Sequence, residues 1–253
     1  MISLTHSIGL QMSGLTGLLA VALLASGCGS TLYRMRQDWV DGKYEKAGMT
    51  EHTADLPDAM VKYMIGGNGP AVVLLHGFGG NAKIQWYDNV GALTEKYRVV
   101  MPNLVYFGGS TAKKSDCTLD MQARVIDQLL AHLKIPKAHL VGVSLGGLVA
   151  FNVATNHPKR IDKLVLIDSP GAVFNQADYQ RLLDTYAAKQ LSEVLLPQSP
   201  EEVRRIFRIA YYRPPMVPGF LLDDLYEDLF VPQREAQERF AKYLEDNIVP
   251  LGQ

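Results

Sequence analysis

The sequence predicts an α/β protein: a mostly parallel sheet flanked by helices, followed by a purely helical region. Three observations carry that expectation. Short apolar runs at Ala71 to His76, Tyr97 to Met101, Ala138 to Val143 and Lys163 to Asp168 read as strands buried on both faces. The stretches between them have helical length or spacing, and strands that alternate with helices build a parallel sheet through right-handed crossovers. After Pro170 the alternation stops and only helical stretches remain.

Composition narrows the function classes. The 253 residues are 47% hydrophobic, 9% aromatic and 20% charged, which suits a globular chain able to bury a core without staples. With 25 Lys and Arg against 26 Asp and Glu, no basic excess is available to hold a phosphate backbone, so nucleic acid is not an expected partner. Cys28 and Cys117 are the only cysteines, too few for a disulfide framework or a Cys-rich zinc site, and no metal or cofactor is called for.

Taken in order, the chain begins with an address. The first charged residue is Arg34, and Leu15 to Ala25 is an almost unbroken apolar run that reads as the h-region of a signal peptide. It is shorter than the ~20 residues that span a bilayer, although the uncharged flank from Ser7 leaves an uncleaved anchor as an alternative. The following Ala25-Ser26-Gly27-Cys28 resembles a bacterial lipobox, with Ala25 where Leu is preferred and only His6 where basic residues normally stand. The resemblance implies removal of residues 1–27, lipidation of Cys28 and, because Gly29 is not Asp, a lipid-anchored protein on the outer membrane facing the periplasm. The alternative is an ordinary cleaved signal with an incidental cysteine. Residues 28–58 are polar and aperiodic and are expected to form a tether.

The core is expected over residues 59–171. The Ala71 run ends in Gly77-Phe78-Gly79-Gly80, a glycine turn, and Trp86 to Lys96 has room for a helix of about three turns. Thr118 is a good N-cap for a helix whose Val125, Ile126, Leu129, Leu130 and Leu133 recur on one face until Pro136. Ala138 to Val143 leads through Ser144 into a helix from Leu145 to Asn156. Helical stretches then follow around Tyr179 to Val194, Pro200 to Tyr211 and Gln233 to Asn247, within a region 172–253 broken by prolines.

Chemistry is written at Gly142-Val143-Ser144-Leu145-Gly146, a G-x-S-x-G pentapeptide between a strand and a helix. A serine on so sharp a turn is forced out of the sheet, and glycine flanks let strand and helix approach. His76-Gly77-Phe78-Gly79-Gly80 lies on the loop after an earlier strand, 68 positions before Ser144, and two such loops can offer two backbone N–H groups to one oxyanion. With both motifs, the chain resembles the α/β-hydrolase family over roughly Ala59 to Asp246, within its capped esterase, lipase and C–C hydrolase group.

That resemblance implies Ser144 as nucleophile, the amides of Phe78 and Leu145 as oxyanion hole, and structural roles for His76, Gly77, Gly79, Gly142 and Gly146. It implies a helical cap over 172–253, where Phe207, Tyr211, Tyr212, Met216, Phe220, Leu221, Leu222 and Phe230 either roof an acyl-chain site or simply pack the cap together. Asn103 and Tyr106 depart from the family's D-x-P-G pattern, with no catalytic group lost. A Ser nucleophile favours acyl chemistry on a small ester or acyl substrate.

The family's base is a late histidine, and none follows His157. His157 lies 13 residues along a helix from Ser144, about 20 Å, and His139 lies five residues back along a strand, roughly 16 Å. His132 ends the preceding helix, His52 falls in the tether, and His6 precedes the cleavage point. Asp168, ending the last visible strand, is the one alternative position for the acid. The chain is therefore expected to stop before the final strands and helices of the fold. A serine ester hydrolase impaired by the missing histidine is the leading expectation, and a non-catalytic acyl-ligand or lipid-binding lipoprotein is the alternative.

Overall fold

The computed structural model describes residues 31–170 and 174–248. The expected signal peptide over residues 1–27, Cys28, Gly29 and His6 lie outside the described residues. The first element, α1 (residues 31–46), and β1 (Thr50–Asp55) correct the expected tether: this segment is a helix and an edge strand laid against the sheet. Charged residues between Val40, Tyr44 and Ala54 disguise the periodicity, yet these three are essentially fully buried. The Tyr44 hydroxyl donates to the carbonyl of Lys83 at 2.7 Å.

The remaining strands are β2 (Ala59–Gly66), β3 (Ala71–Leu75), β4 (Arg98–Pro102), the short β5 (Thr111–Ala112), β6 (Ala138–Val143) and β7 (Ile161–Ile167). Among the described residues they form a seven-stranded sheet ordered β1-β2-β4-β3-β6-β7, with β5 beside β2. The pairs β3–β4, β3–β6 and β6–β7 are parallel, and β1, β4 and β5 run antiparallel to β2. The predicted parallel part is present, with an antiparallel extension on one side.

Period-two alternation sends Val73, Leu75, Val100 and Leu140 to one face, where α4 (Leu119–His132) and α5 (Leu145–Asn156) cover them. Val72, Leu74, Val99 and Met101 face the other way, under α1 and the short α2 (Ala82–Trp86) and α3 (Val90–Thr94). The single helix expected over Trp86 to Lys96 is thus two short pieces, the first beginning earlier, at Ala82, and the second at Val90. Asn81 ends the preceding turn and caps α2 by accepting from the Ile84 amide at 2.9 Å. Thr118 caps α4 as expected, its hydroxyl accepting from the Met121 amide at 3.1 Å.

Beyond residue 173 come α6 (Gln176–Thr185), α7 (Leu191–Leu195), α8 (Val203–Ala210), α9 (Gly219–Leu229) and α10 (Arg234–Ile248). Leu196, Val203, Leu222, Leu225 and Phe230 form a separate small core in this cap. Helix α10 is a correction to a purely capping region: Phe240 and Leu244 join the main core cluster, while Ala241 joins that of the cap.

Candidate active site

Two tight turns meet at the ends of β3 and β6. Ser144 stands between β6 and α5 at φ 51 and ψ −116, a conformation that an L residue adopts only under constraint. The constraint is steric closeness of strand and helix. A Cβ on Gly142 would fall 2.2 Å from the Gly146 carbonyl oxygen, and one on Gly146 would fall 2.3 Å from that of Leu75. Both contacts are with backbone, which cannot swing aside. The Ser144 amide donates to the Ile167 carbonyl at 2.9 Å, tying the turn to β7.

The second turn is braced by His76. Its imidazole is fully buried, and its Nε2 accepts from the Leu104 amide at 3.0 Å, which leaves Nδ1 to donate to the Gly77 carbonyl at 2.8 Å. Burial away from water lowers its pKa from 6.5 to about 4, so the ring is neutral at ordinary pH. Both nitrogens are committed, which makes His76 a strut and removes it as a base. Gly77 lies against Ser144: a Cβ there would sit 3.5 Å from the serine Cβ. Gly79 has φ +76, and the ring of Phe230 from the cap packs where its Cβ would be. Phe78 is held edge-on to Phe107 at 5.0 Å. The amide of Leu145 belongs to the first turn of α5, where N–H groups have no intrahelical acceptor.

Asn103 and Tyr106, which break the family pattern, have structural work. Asn103 Oδ1 accepts from the Ala82 amide and its Nδ2 donates to the Gly108 carbonyl, both at 2.9 Å. Tyr106 takes φ 77 where a glycine is usual, and its hydroxyl donates to the Asp116 carbonyl. Gln237 of α10, also buried, donates from Nε2 to the Tyr106 carbonyl at 3.1 Å. Sequence reasoning missed Gln237, and no periodicity could have revealed a polar contact across 131 residues.

Ser144 opens into a cavity of about 650 Å³. Gly77, Phe78, Leu145 and Asp168 share that lining, so the candidate nucleophile, both candidate oxyanion donors and the candidate acid surround one space. The apolar wall comes from Tyr179 and Leu182 of α6, Leu191 and Val194 of α7, and Ile206 and Ile209 of α8. This corrects the expected roof. Of the eight cap residues named from the sequence only Tyr211 lines the cavity; Leu222 and Phe230 pack the cap interior, and Tyr212, Met216 and Phe220 are exposed.

Apart from His76, the described histidines stay away from Ser144. His139 faces Asp162 at 3.3 Å near the start of β6, and His157 lies 3.9 Å from Asp127 beyond the far end of α5. His52 stands on the outermost strand with its Nε2 2.8 Å from the Thr50 hydroxyl, and His132 is exposed at the end of α4.

A doubly flanked parallel sheet with a strained serine at a strand-to-helix turn defines an α/β hydrolase. The chain belongs to that family: the model for the alpha/beta hydrolase fold matches residues 70–208. A 2-hydroxy-6-oxo-6-phenylhexa-2,4-dienoate hydrolase of Comamonas testosteroni is 30% identical over 201 residues, 77% of this chain and 66% of the relative. A pimeloyl-(acyl-carrier protein) methyl ester esterase of Aeromonas hydrophila is 39% identical over 104 residues, 41% of this chain and 39% of its own. The crystal structure of a membrane phospholipase A superposes with a TM-score of 0.69 at 25% identity, covering 91% of this chain and 75% of that one. The chain thus spans less than two thirds of the length of these two curated relatives.

Proposed function

We propose that Ser144 is the nucleophile of a carboxylic-ester hydrolase held at the bacterial outer membrane through Cys28. The observation that carries the reading is the strained serine aimed into an apolar cavity that also holds the amide-bearing residues Phe78 and Leu145. In the reaction, Ser144 Oγ gives up its proton and attacks the ester carbonyl carbon. The carbonyl π electrons move to oxygen, and the resulting oxyanion accepts from the amides of Phe78 and Leu145. Collapse expels the alcohol, which takes up a proton, and leaves an acyl-serine that water then cleaves to the acid. Asp168, which shares the cavity lining, is the acid we assign to orient an imidazole. The names of two relatives, an ester esterase and a phospholipase, support an ester as substrate.

No histidine lines the cavity among the described residues, so the described residues supply the nucleophile and oxyanion hole without an imidazole base. Triad hydrolases deprived of the base retain about 10³ to 10⁴-fold acceleration over water. Incubation of the full chain with a fluorophosphonate is therefore expected to label Ser144 slowly, faster with added imidazole, and Ser144→Ala should take no label. Equal labelling of Ser144→Ala would overturn the assignment.

A further inference from the structure

Helix α1 has one face in the protein and an unusual other face. Val40 and Tyr44 point inward, whereas Leu32, Met35 and Trp39, spaced to share one stripe, are 45%, 59% and 55% exposed. The water side of a surface helix is ordinarily polar. The loop between α8 and α9 repeats the anomaly: Tyr212 is 97% and Met216 99% exposed, on a stretch that Pro214, Pro215 and Pro218 keep out of helix.

The two patches flank the cavity rim. Trp39 packs edge-on to Tyr87, with ring centroids 5.6 Å apart, and the Lys43 ammonium lies 4.1 Å over the Trp39 ring. Tyr87 and Tyr211 line the same cavity as Ser144, and both Asp88 and Tyr211 on that lining are exposed. Tyr33 of α1 fixes the helix to the cap by donating to Asp228 of α9 at 2.6 Å.

We infer that this surface rests on a phospholipid bilayer, with Leu32, Met35, Trp39, Tyr212 and Met216 entering the interface and the cavity rim facing the lipid. The occupant is identified by chain connectivity. The apolar run ends at Ala25, seven residues before Leu32, a span of at most about 25 Å fully extended; Cys28 is four residues away, at most about 14 Å. The placement rests on the membrane anchoring proposed above: with either of these in the membrane, the start of α1 cannot leave its neighbourhood. Tryptophan and tyrosine are the side chains that settle at a membrane surface, apolar body inward and polar edge in water, and Lys43 beside Trp39 can remain at headgroup level. A shallow insertion of several large apolar groups then adds to one tether. If the proposed ester chemistry holds, an acyl chain would reach Ser144 from the lipid without crossing water; the docking itself does not depend on that chemistry.

The molecule has two tryptophans, Trp39 and Trp86, and Trp86 is only 5% exposed. The full chain reconstituted into phosphatidylcholine vesicles, with bromine placed near the headgroup end of the acyl chains, should lose Trp39's share of the emission. Trp39→Phe should abolish the quenching. The pair Tyr212→Asp and Met216→Asp, both changes at positions open to water, should diminish it while the protein stays on the vesicles. Failure of the chain to float with vesicles would overturn the inference. So would Trp39 remaining accessible to aqueous iodide and untouched by bromolipid, or its becoming shielded by a second copy in cross-linked dimers. Fluorophosphonate labelling in detergent keeps the two readings apart, because it reports Ser144 whether or not the face binds lipid.

Discussion

Replacing Ser144 by glycine is expected to stabilise the fold while it removes the proposed nucleophile. At φ 51 and ψ −116 the serine occupies backbone space that an L side chain pays for, with a cost of about 1–3 kcal/mol. Its hydroxyl makes no capping bond to α5, so deletion forfeits none there. Against the relief stands the extra freedom that glycine gives the unfolded chain, about 0.4–1 kcal/mol. The difference runs from about zero to about 2.6 kcal/mol and centres on about 1.3 kcal/mol, which in a domain of this size raises Tm by about 3–5 °C at that centre. Ser144→Ala supplies the comparison, since alanine loses the hydroxyl and keeps the strain; it should unfold close to the parent. Urea and thermal midpoints of the three proteins, measured under identical conditions, decide the matter. If the glycine variant proves no more stable than the alanine one, the turn is not strained and the argument for a constrained nucleophile fails.

Other expectations follow from the same contacts. His76 has a folded pKa of about 4 against 6.5 unfolded, so between those values the unfolded chain binds a proton that the folded chain refuses. Stability should rise with pH through that window by about 3 kcal/mol and then level off, and His76→Gln should flatten the slope while lowering stability at pH 7; urea unfolding across pH tests both. Asn103→Ala removes a bond from the Ala82 amide and one to the Gly108 carbonyl, and a loss of about 1–3 kcal/mol with unchanged m-value is expected. On β7, at the edge of the described sheet, Val165 is 46% exposed. Val165→Lys should suppress aggregation in a light-scattering assay and change folding stability by no more than about 0.5 kcal/mol.

The parts of this molecule that sequence makes legible are those written in local chemistry. Ala138 to Val143, Ser144 and the helix from Leu145 follow from an apolar run, a glycine-flanked turn and a helical pattern, and the structure reproduces their bounds. Thr118 announces α4 by its own side chain. The antiparallel side was not legible, because β1 is an exposed edge strand in which only Ala54 is buried, and five polar or exposed neighbours mask the alternation. Helix α1 was hidden for the opposite reason: its outward face is apolar at Leu32, Met35 and Trp39, so the contrast between faces that marks an amphipathic helix is weak. The cavity wall was misassigned because aromatic bulk in a proline-broken segment says nothing of direction, and the wall is built instead from aliphatic residues of α6, α7 and α8.

The polar struts explain how Gln237 and Phe230, which do not line the cavity, can bear on the turn that carries Phe78. Gln237 on α10 donates to the Tyr106 carbonyl, and the same loop presents the Leu104 amide to His76 Nε2. His76 passes the constraint to the Gly77 carbonyl through Nδ1, and the next residue is Phe78, whose amide is assigned to the oxyanion. From the cap side, the Phe230 ring fills the space beside Gly79 in the same turn. The turn is therefore clamped from the sheet by a buried imidazole and from the cap by an aromatic ring. An amide aimed at a developing charge is effective only if it need not reorganise as the charge appears. Holding that aim requires contacts separated by as many as 131 residues, which is why the motifs could be read from two short runs, His76 to Gly80 and Gly142 to Gly146, while the geometry around them could not.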